Sequence, residues 1–313
     1  MPAVSVIIPT YNRRAMLLEA ITSVTAQRGT DFELIVVDDG SSDGTWEDLS
    51  DGALGAALSQ VPSSCAVKLV RQENRGPAAA RNRGAASATG EFLAFLDSDD
   101  LWMADKLARQ LDYFSSHREL QIAQTQELWV RQGRRVNPGR RHRKPEGRFF
   151  EAALRTCLIS PSAVMMRADL FAVLEGFDPD LAACEDYDLW LRVLIRHPVG
   201  LLDAPLVIRR AGAHSQLSAL TPALDRFRIR SLLKLLSNGD LDAMMEHQTT
   251  QVLRQKCLIY AQGLERRGHN REAAFYRALA ALVTTDLEPT RALDRELLAD
   301  LLRTQPLDCP DEL

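Results

Sequence analysis

Glu-Phe-Leu-Ala-Phe-Leu-Asp-Ser-Asp-Asp-Leu-Trp, residues 91–102, is an apolar run that ends in three carboxylates. A run of this length between polar residues is typical of a buried strand in a parallel sheet. Ligands of open α/β sheets bind beyond the carboxyl ends of the strands, which is where residues 97–100 fall. Asp and Ser also form turns and helix caps, and Asp100 is the expected cap of a helix that starts near Trp102. The stretch alone therefore leaves a purely structural role open.

Length and composition are those of an ordinary globular protein. The chain has 313 residues, of which 46% are hydrophobic and 26% are charged, enough for one large domain and a smaller one. A net charge of −4 argues against a general nucleic-acid-binding protein. The five cysteines are dispersed without a Cys-x-x-Cys pair, which indicates reduced thiols and not a disulfide framework or a zinc site.

The apolar runs of the chain are all short. No basic segment leads into a long apolar run, and no run approaches the roughly 20 residues of a membrane span. We therefore expect neither a signal peptide nor a transmembrane helix. The expected location is the cytoplasm, with peripheral contact to the inner face of the membrane as the alternative.

The chain before residue 91 alternates between predicted strands and helices. Runs at residues 4–8, 32–37 and 67–71 predict three further strands, each followed by a helical pattern. Such alternation implies a mainly parallel sheet with right-handed crossovers. The second strand also ends in acidic and turn residues, at 38–45, and an arginine-bearing helix follows the third strand. We therefore expect one cleft shared by two acidic strand ends.

Two common phosphate-binding motifs are missing from the sequence. It contains no Gly-x-x-x-x-Gly-Lys-Ser/Thr, and no Gly-x-Gly-x-x-Gly follows a strand, which argues against a P-loop and removes the usual anchor of a dinucleotide fold. Carboxylates hold phosphate only through a divalent metal, and their oxygens suit Mg²⁺ or Mn²⁺. The acidic strand ends therefore predict a metal-dependent site for a phosphate-bearing ligand.

Four segments resemble, in order and spacing, the successive motifs of family 2 glycosyltransferases. They are Val-Ser-Val-Ile-Ile-Pro-Thr-Tyr-Asn-Arg (4–13), Ile-Val-Val-Asp-Asp-Gly-Ser-Ser-Asp-Gly-Thr (35–45), Asn-Arg-Gly-Pro-Ala-Ala-Ala-Arg-Asn-Arg-Gly (74–84) and Phe-Leu-Asp-Ser-Asp-Asp (95–100). The resemblance extends to about residue 215. Any one of these motifs alone would be weak, but four in the right order are highly specific.

The resemblance implies a fold and a reaction. The fold is GT-A: α/β, Rossmann-like, with a mixed, mainly parallel sheet flanked by helices. We expect this domain in residues 1–215 and a C-terminal α-helical region in residues 216–313. The implied reaction is inverting transfer of a sugar from a nucleotide sugar, with UDP favoured, to a hydroxyl acceptor. A glycan or lipid-linked acceptor in cell-surface polysaccharide or glycan assembly is expected.

The resemblance also assigns donor-side roles. The nucleotide-binding residues that it implies are Pro9, Thr10, Tyr11, Arg13, Asp39, Arg81, Asp97 and Ser98. Asp39 is expected to accept from a uracil-type N–H, with turn formation as its structural alternative. Arg81 is expected to neutralise charge on the nucleotide, and its structural alternative is a position on a solvated helix face. Asp97 and Asp99 match the family's Asp-x-Asp, in which the first Asp meets ribose or metal-bound water and the second, here Asp99, binds the Mn²⁺ or Mg²⁺ that bridges the diphosphate. In some relatives a histidine near this place completes the metal shell. His214 is the candidate here, and its structural alternative is a polar or packing role.

A later segment resembles the acceptor-side motif of the family. Gly-Phe-Asp at 176–178 is followed by Glu-Asp-Tyr-Asp-Leu-Trp-Leu-Arg at 185–192, and in the family a Glu-Asp pair supplies the general base. We assign the base to Asp186, with Glu185 as the alternative, and expect Asp188 to orient the helix. Favourable interaction with the helix dipole is the structural alternative. One base opposite the leaving group implies inversion.

Basic residues crowd residues 131–148 without apolar periodicity, which predicts a mobile loop. A solvated loop, contact with an anionic acceptor and contact with anionic lipid headgroups all stay open. Nucleic acid is disfavoured because no aromatic residues are interleaved for base stacking.

The pattern becomes helical from about residue 221. Two amphipathic segments around Gly268 resemble one tetratricopeptide-type hairpin without a convincing second copy. An appendage that closes over the cleft or pairs subunits in a homodimer is expected.

Two other function classes compete with the transferase. A nucleotidyltransferase would need a glycine-rich, basic loop directly after the first strand, which residues 9–14 do not contain. A non-catalytic nucleotide-sugar-binding or scaffold protein of the same fold is the other alternative, and the retained carboxylates argue against it.

Overall fold

The computed structural model describes residues 2–137, 139, 142–210, 223–283 and 295–304. Its strands are β1 (Val4–Thr10), β2 (Phe32–Asp38), β3 (Ala66–Arg71), β4 (Phe92–Phe95), β5 (Leu101–Trp102), β6 (Ile122–Arg131), β7 (Arg134–Val136), β8 (Val164–Arg167) and β9 (Gly200–Arg210). They form one sheet in the order β3-β2-β1-β4-β8-β6-β9-β5, and β7 pairs with β6 outside this path. β1 to β4 are parallel to one another. β6 points in the same direction as these strands, because β8 between β4 and β6 is antiparallel to both, and β9 is parallel to β6.

Helices flank this sheet and continue beyond it. They are α1 (Arg14–Thr25), α2 (Thr45–Asp51), α3 (Ala53–Leu58), α4 (Gly76–Ala86), α5 (Lys106–Ser116), α6 (Phe150–Arg155), α7 (Ala168–Val173), α8 (Glu185–Arg196), α9 (Asp225–Asn238), α10 (Ala243–Arg266), α11 (Asn270–Leu282) and α12 (Arg295–Thr304). The predicted mixed, mainly parallel sheet flanked by helices is confirmed. None of the described helices is both long and apolar enough to cross a bilayer.

The strands are buried on both faces, which is why they read as continuous apolar runs. Ile7 and Ile35 belong to the hydrophobic cluster on one face, and Val6 and Leu34 belong to the cluster on the other. Helix α4 lies close against the first face: a Cβ at Gly84 would come within 2.5 Å of Ile7 Cγ2. The small residues of α4 therefore let it approach the sheet.

Strand register brings the acidic segments to one edge. Ile7 of β1 pairs with Ile35 of β2 and with Phe95 of β4. The carboxyl ends of the three strands therefore lie side by side, and Asp39 and Asp97 follow them within a few residues.

The C-terminal helices share the core of the sheet domain. Leu232 of α9 and Tyr260 of α10 belong to the same buried cluster as Trp190 of α8, and α10 packs on α6. The helical hairpin expected around Gly268 is confirmed as α10 and α11, whose Tyr260 and Tyr276 rings meet edge to face at 4.6 Å. These helices are joined to the sheet domain by buried apolar contacts.

Two expectations about local structure are wrong. Trp102 lies in β5 and not in a helix, because it pairs with Val207 of β9 and its Nε1 donates to Ser162 O at 2.8 Å; α5 begins only at Lys106. Asp100 therefore caps no helix. The predicted loop at 131–148 begins instead as the β6–β7 hairpin.

Candidate active site

Three carboxylates cluster directly after β4. One oxygen each of Asp97, Asp99 and Asp100 can be chosen so that all lie within 4.8 Å of one another. Burial, followed by repulsion from Asp97, raises the pKa of Asp99 and raises the pKa of Asp100 well above its ordinary value. Crowded, buried carboxylate oxygens fit a hard divalent cation such as Mg²⁺ or Mn²⁺, which would relieve this repulsion.

The three carboxylates are not equally available to a cation. Asp100 accepts from Ser162 Oγ at 2.7 Å and from the backbone N–H of Arg210 at 3.1 Å. Its oxygens therefore tie the segment after β4 to the end of β9. Asp97 and Asp99 keep oxygens for a metal, and Arg13 of the loop after β1 stands beside Asp99 with an Nη1–Oδ2 distance of 2.8 Å.

Arg81 of α4 joins the two predicted halves of the site. Its Nη2 lies 2.6 Å from Asp97 Oδ1, and its Nη1 lies 2.7 Å from Glu185 Oε1 at the start of α8. The side chain is only 6% exposed and its guanidinium lies over the ring of Phe177. The solvated-face alternative for Arg81 is therefore wrong, and the strand end and the α8 start share one cleft.

Glu185 and Asp186 have different environments. Burial raises the pKa of Glu185 to about 7, although Arg81 opposes the shift. Asp186 is half-buried, and its oxygens accept from the backbone N–H of Tyr187 at 2.7 Å and from Cys157 Sγ at 3.4 Å. Of the pair, Glu185 forms an ion pair with Arg81, whereas Asp186 forms no ion pair with the described residues.

The third carboxylate of α8 faces away from this cleft. Asp188 is buried and binds Arg192 on its own helix at 2.8 Å and Lys234 of α9 at 3.2 Å. The pair with Lys234 holds α8 against α9, so Asp188 has a structural role and is not a candidate for the base.

The Glu185→Gln variant should change the pH dependence of stability. Because the folded pKa is raised from 4.5 to about 7, the folded state binds this proton more tightly than the unfolded state does. The free energy of unfolding of the wild-type protein should therefore fall as pH rises from about 4.5 to 7, by on the order of 3 kcal/mol from this group. Urea denaturation at several pH values measures this slope. Glutamine does not titrate, so parallel profiles for the two proteins would contradict the assignment.

The nucleotide-side residues lie at the ends of β1 and β2. Pro9 and Thr10 are buried within β1, whereas Tyr11 is 46% exposed. Asp39 accepts from Gln72 Nε2 at 2.7 Å and from the backbone N–H groups of Arg75 and Gly76 at 3.0 and 2.9 Å. Asp39 therefore anchors the start of α4 from the end of β2. A contact of Asp39 with a base stays a prediction.

Ser98 and His214 are the two remaining residues of the predicted site. Ser98 is buried between Asp97 and Asp99. His214 lies outside the described residues.

Sequence reasoning missed three residues of the cleft. Cys157 contacts Asp186, and Ser162 contacts Asp100 and also accepts from the backbone N–H of Asp97 at 3.1 Å. No motif marks either residue. The third is Arg209, for which a pair of arginines at the end of an apolar strand was the available signal.

Comparison with known proteins gives matches along most of this region. The family model described as Glycosyl transferase family 2 matches residues 5–174. An uncharacterized glycosyltransferase of Rickettsia felis is 33% identical over 213 residues, which are 65% of this chain and 32% of that protein. The putative teichuronic acid biosynthesis glycosyltransferase TuaG of Bacillus subtilis is 32% identical over 194 residues, 62% of this chain and 72% of that protein. The chain thus spans about a third of the length of the Rickettsia relative.

Solved structures show the same fold. Residues 1–349 of S. aureus TarS in complex with UDP-GlcNAc give a TM-score of 0.64 at 22% identity, covering 97% of this chain and 81% of that one. The mannosyltransferase PcManGT from Pyrobaculum calidifontis, in complex with GDP-Man and Mn²⁺, gives 0.57 at 20% identity, covering 97% and 87%. The GT-A fold is therefore confirmed. Because the family match spans more than half of its residues, the chain belongs to glycosyltransferase family 2.

Proposed function

We propose that this chain is an inverting glycosyltransferase that moves a sugar from a UDP sugar to a hydroxyl acceptor in cell-surface polysaccharide assembly. The observation that carries the proposal is the double ion pair of Arg81, which joins the carboxylates after β4 to the carboxylate pair of α8. The UDP-GlcNAc complex of TarS supports UDP as the nucleotide. The name of TuaG supports a cell-surface polysaccharide.

On the donor side, Asp97 and Asp99 would hold Mn²⁺ or Mg²⁺. The bound metal would supply stabilisation of the negative charge that develops on the departing nucleoside diphosphate. Arg81 and Arg13 add fixed positive charge beside the same carboxylates. The nucleotide pocket of this proposal is completed by Pro9, Thr10, Tyr11, Asp39 and Ser98.

On the acceptor side, Asp186 takes the proton of the acceptor hydroxyl as its oxygen attacks the anomeric carbon. Attack from the face opposite the leaving diphosphate inverts the configuration at that carbon. Glu185 is the poorer base, because its carboxylate is bound to Arg81 at 2.7 Å and would have to give up this buried ion pair to take a proton. Its contact with Arg81 instead couples the position of the base to the donor side.

The proposal divides the chain into a catalytic part, residues 1–215, and a helical part, residues 216–313. Among the described residues the last strand, β9, ends at Arg210, and the elements after it are helices, which supports this division. The helical part stiffens the acceptor side, since Lys234 of α9 binds Asp188 of α8.

The Asp99→Asn variant should lose metal-dependent binding of UDP. Asparagine keeps the size of the side chain but removes the charge that a divalent cation needs. The affinity for UDP measured with Mn²⁺ should fall at least about tenfold, equivalent to about 1.4 kcal/mol. Isothermal titration calorimetry with UDP, with and without Mn²⁺, measures this effect.

Asp112→Asn is the matched control, because Asp112 is an exposed aspartate on α5. It should bind UDP and Mn²⁺ like the wild-type protein. Equal heats with and without Mn²⁺ in the wild-type protein would refute metal-dependent donor binding. A screen for slow hydrolysis of UDP sugars, which needs no acceptor, separates an enzyme from a non-catalytic scaffold.

A further inference from the structure

Arg209, near the end of β9, is a cation to which the proposed reaction gives no task. Its nearest carboxylate oxygen is Glu127 Oε2 at 3.8 Å, which is longer than a hydrogen bond, and its side chain is 40% exposed. Its guanidinium makes no hydrogen bond to any residue in the part of the chain that the structure describes. Five N–H donors in a fixed fork thus remain available for a ligand.

The surroundings of Arg209 place it in the cleft. Burial lowers the pKa of Arg209, but four nearby carboxylates outweigh this effect and raise it. They are Glu127, Asp100, Asp97 and Asp186. Two of these belong to the segment after β4, and one is the proposed base. Strand geometry agrees: the backbone N–H of the next residue, Arg210, donates to Asp100 Oδ1 at 3.1 Å, so the end of β9 lies beside the carboxylates after β4.

Neighbouring side chains hold this cation in place. The guanidinium lies 5.0 Å from the ring centroid of Trp129, and Trp129 Nε1 donates to Glu127 Oε2 at 3.1 Å. Glu127 is in turn fixed by Ser160 and by Lys144, whose Nζ lies 3.1 Å from Glu127 Oε1. Because the platform is already ordered, binding at Arg209 costs little additional side-chain entropy.

Positive charge and aromatic surface continue outward from this platform. The ring of His142 lies 5.0 Å from that of Trp129. Arg131, Arg134 and Arg135 of the β6–β7 hairpin are exposed. This local excess of positive charge contrasts with the net charge of −4 of the whole chain. Such a surface attracts an anionic partner and presents rings on which a sugar can stack.

We propose that Arg209, on its Trp129 platform, is an oxyanion subsite for the acceptor: it binds a carboxylate or phosphate of an anionic saccharide whose hydroxyl reaches Asp186. This inference rests on the proposed function and names the acceptor class. The other source of an oxyanion is the diphosphate of the donor. The acceptor is the better fit, because Arg209 lies on the β6–β9 side of the cleft, whereas Arg13 and Arg81 already stand beside the donor-side carboxylates.

The test compares Arg209→Gln with Arg210→Gln. The side chain of Arg210 binds Glu19, so it is a matched arginine from the same strand end with a different ion pair. Tetragalacturonate and glycerol 1-phosphate are titrated into each protein, with maltotetraose as the uncharged probe. At least one anionic probe should bind the wild-type protein and Arg210→Gln at least tenfold more tightly than Arg209→Gln, and this difference should shrink as salt is raised. Maltotetraose should not distinguish the three proteins.

Two results overturn the inference. One is that neither anionic probe binds the wild-type protein more tightly than Arg209→Gln. The other is a tenfold loss of affinity for UDP and Mn²⁺ in Arg209→Gln, which would assign the guanidinium to the donor diphosphate. Failure of the proposed function is visible separately, because the wild-type protein would then neither bind UDP nor hydrolyse a UDP sugar. Trp129→Phe, which keeps an aromatic platform, should bind the anionic probe within a fewfold of the wild-type protein.

Discussion

The Asp186→Asn variant is expected to transfer sugar about a hundred to ten thousand times more slowly than the wild-type protein, which is the range that a general base contributes. Asparagine can still accept the N–H of Tyr187, now 2.7 Å from Asp186 Oδ1, so the first turn of α8 should keep its shape. It cannot take a proton from the acceptor. The loss should therefore appear in kcat, with the affinity for UDP and Mn²⁺ unchanged, and steady-state kinetics with calorimetry separates these quantities.

The neighbouring residue provides the decisive comparison for this variant. Glu185→Gln keeps a side chain that can accept from Arg81, so it should retain much more transfer activity than Asp186→Asn. If Glu185→Gln loses activity and Asp186→Asn does not, the base is Glu185. If both variants turn over like the wild-type protein, neither carboxylate is the base, and the proposed mechanism is wrong.

The Arg81→Met variant is expected to lose about 3 to 5 kcal/mol of stability, which is typical when one partner of a buried ion pair is removed. Methionine fills part of the space of the arginine but leaves Asp97 and Glu185 without the guanidinium that now lies 2.6 and 2.7 Å away. The cost arises from a buried, unpaired carboxylate and from repulsion across the cleft. Chemical denaturation at pH 8, where Glu185 is largely ionised in the folded protein, measures it.

Arg83→Met on the same helix is the control, because Arg83 is exposed. Its stability should stay within about 0.5 kcal/mol of the wild-type value. Arg81→Lys should be intermediate, since one ammonium group cannot repeat the two-pronged contact of a guanidinium. If Arg81→Met is as stable as the control, the double ion pair does not hold the two halves of the cleft together.

The opposed environments of Glu185 and Asp186 explain how adjacent carboxylates can have different tasks. The ion pair with Arg81 uses Glu185 as a structural link between α4 and α8. Asp186 faces the thiol of Cys157 instead, and burial together with Asp186 raises the pKa of that thiol well above its ordinary value. The thiol therefore stays protonated at neutral pH and offers a weak donor to the proposed base without competing for its proton.

Local patterns in the chain were enough for the first four strands and for the motifs. The runs at 4–8 and 32–37 became β1 and β2 because burial on both faces leaves a continuous apolar signal that needs no knowledge of the partner strand. The prediction that two acidic strand ends lie at the same edge of the sheet followed from the same alternation of strands and helices. The family resemblance then named Asp97, Asp99 and the carboxylate pair of α8 as parts of one site.

Contacts between distant segments decided what those patterns could not. Arg81 and Glu185 are 104 positions apart, so a buried ion pair and an exposed helix face look alike until the chain is folded. Lys144 sits in a basic stretch, yet pairing with Glu127 buries it. Trp102 is a strand residue only because β9 passes beside it. Periodicity records which side of an element is apolar, whereas the partner of a charge depends on where the rest of the chain returns.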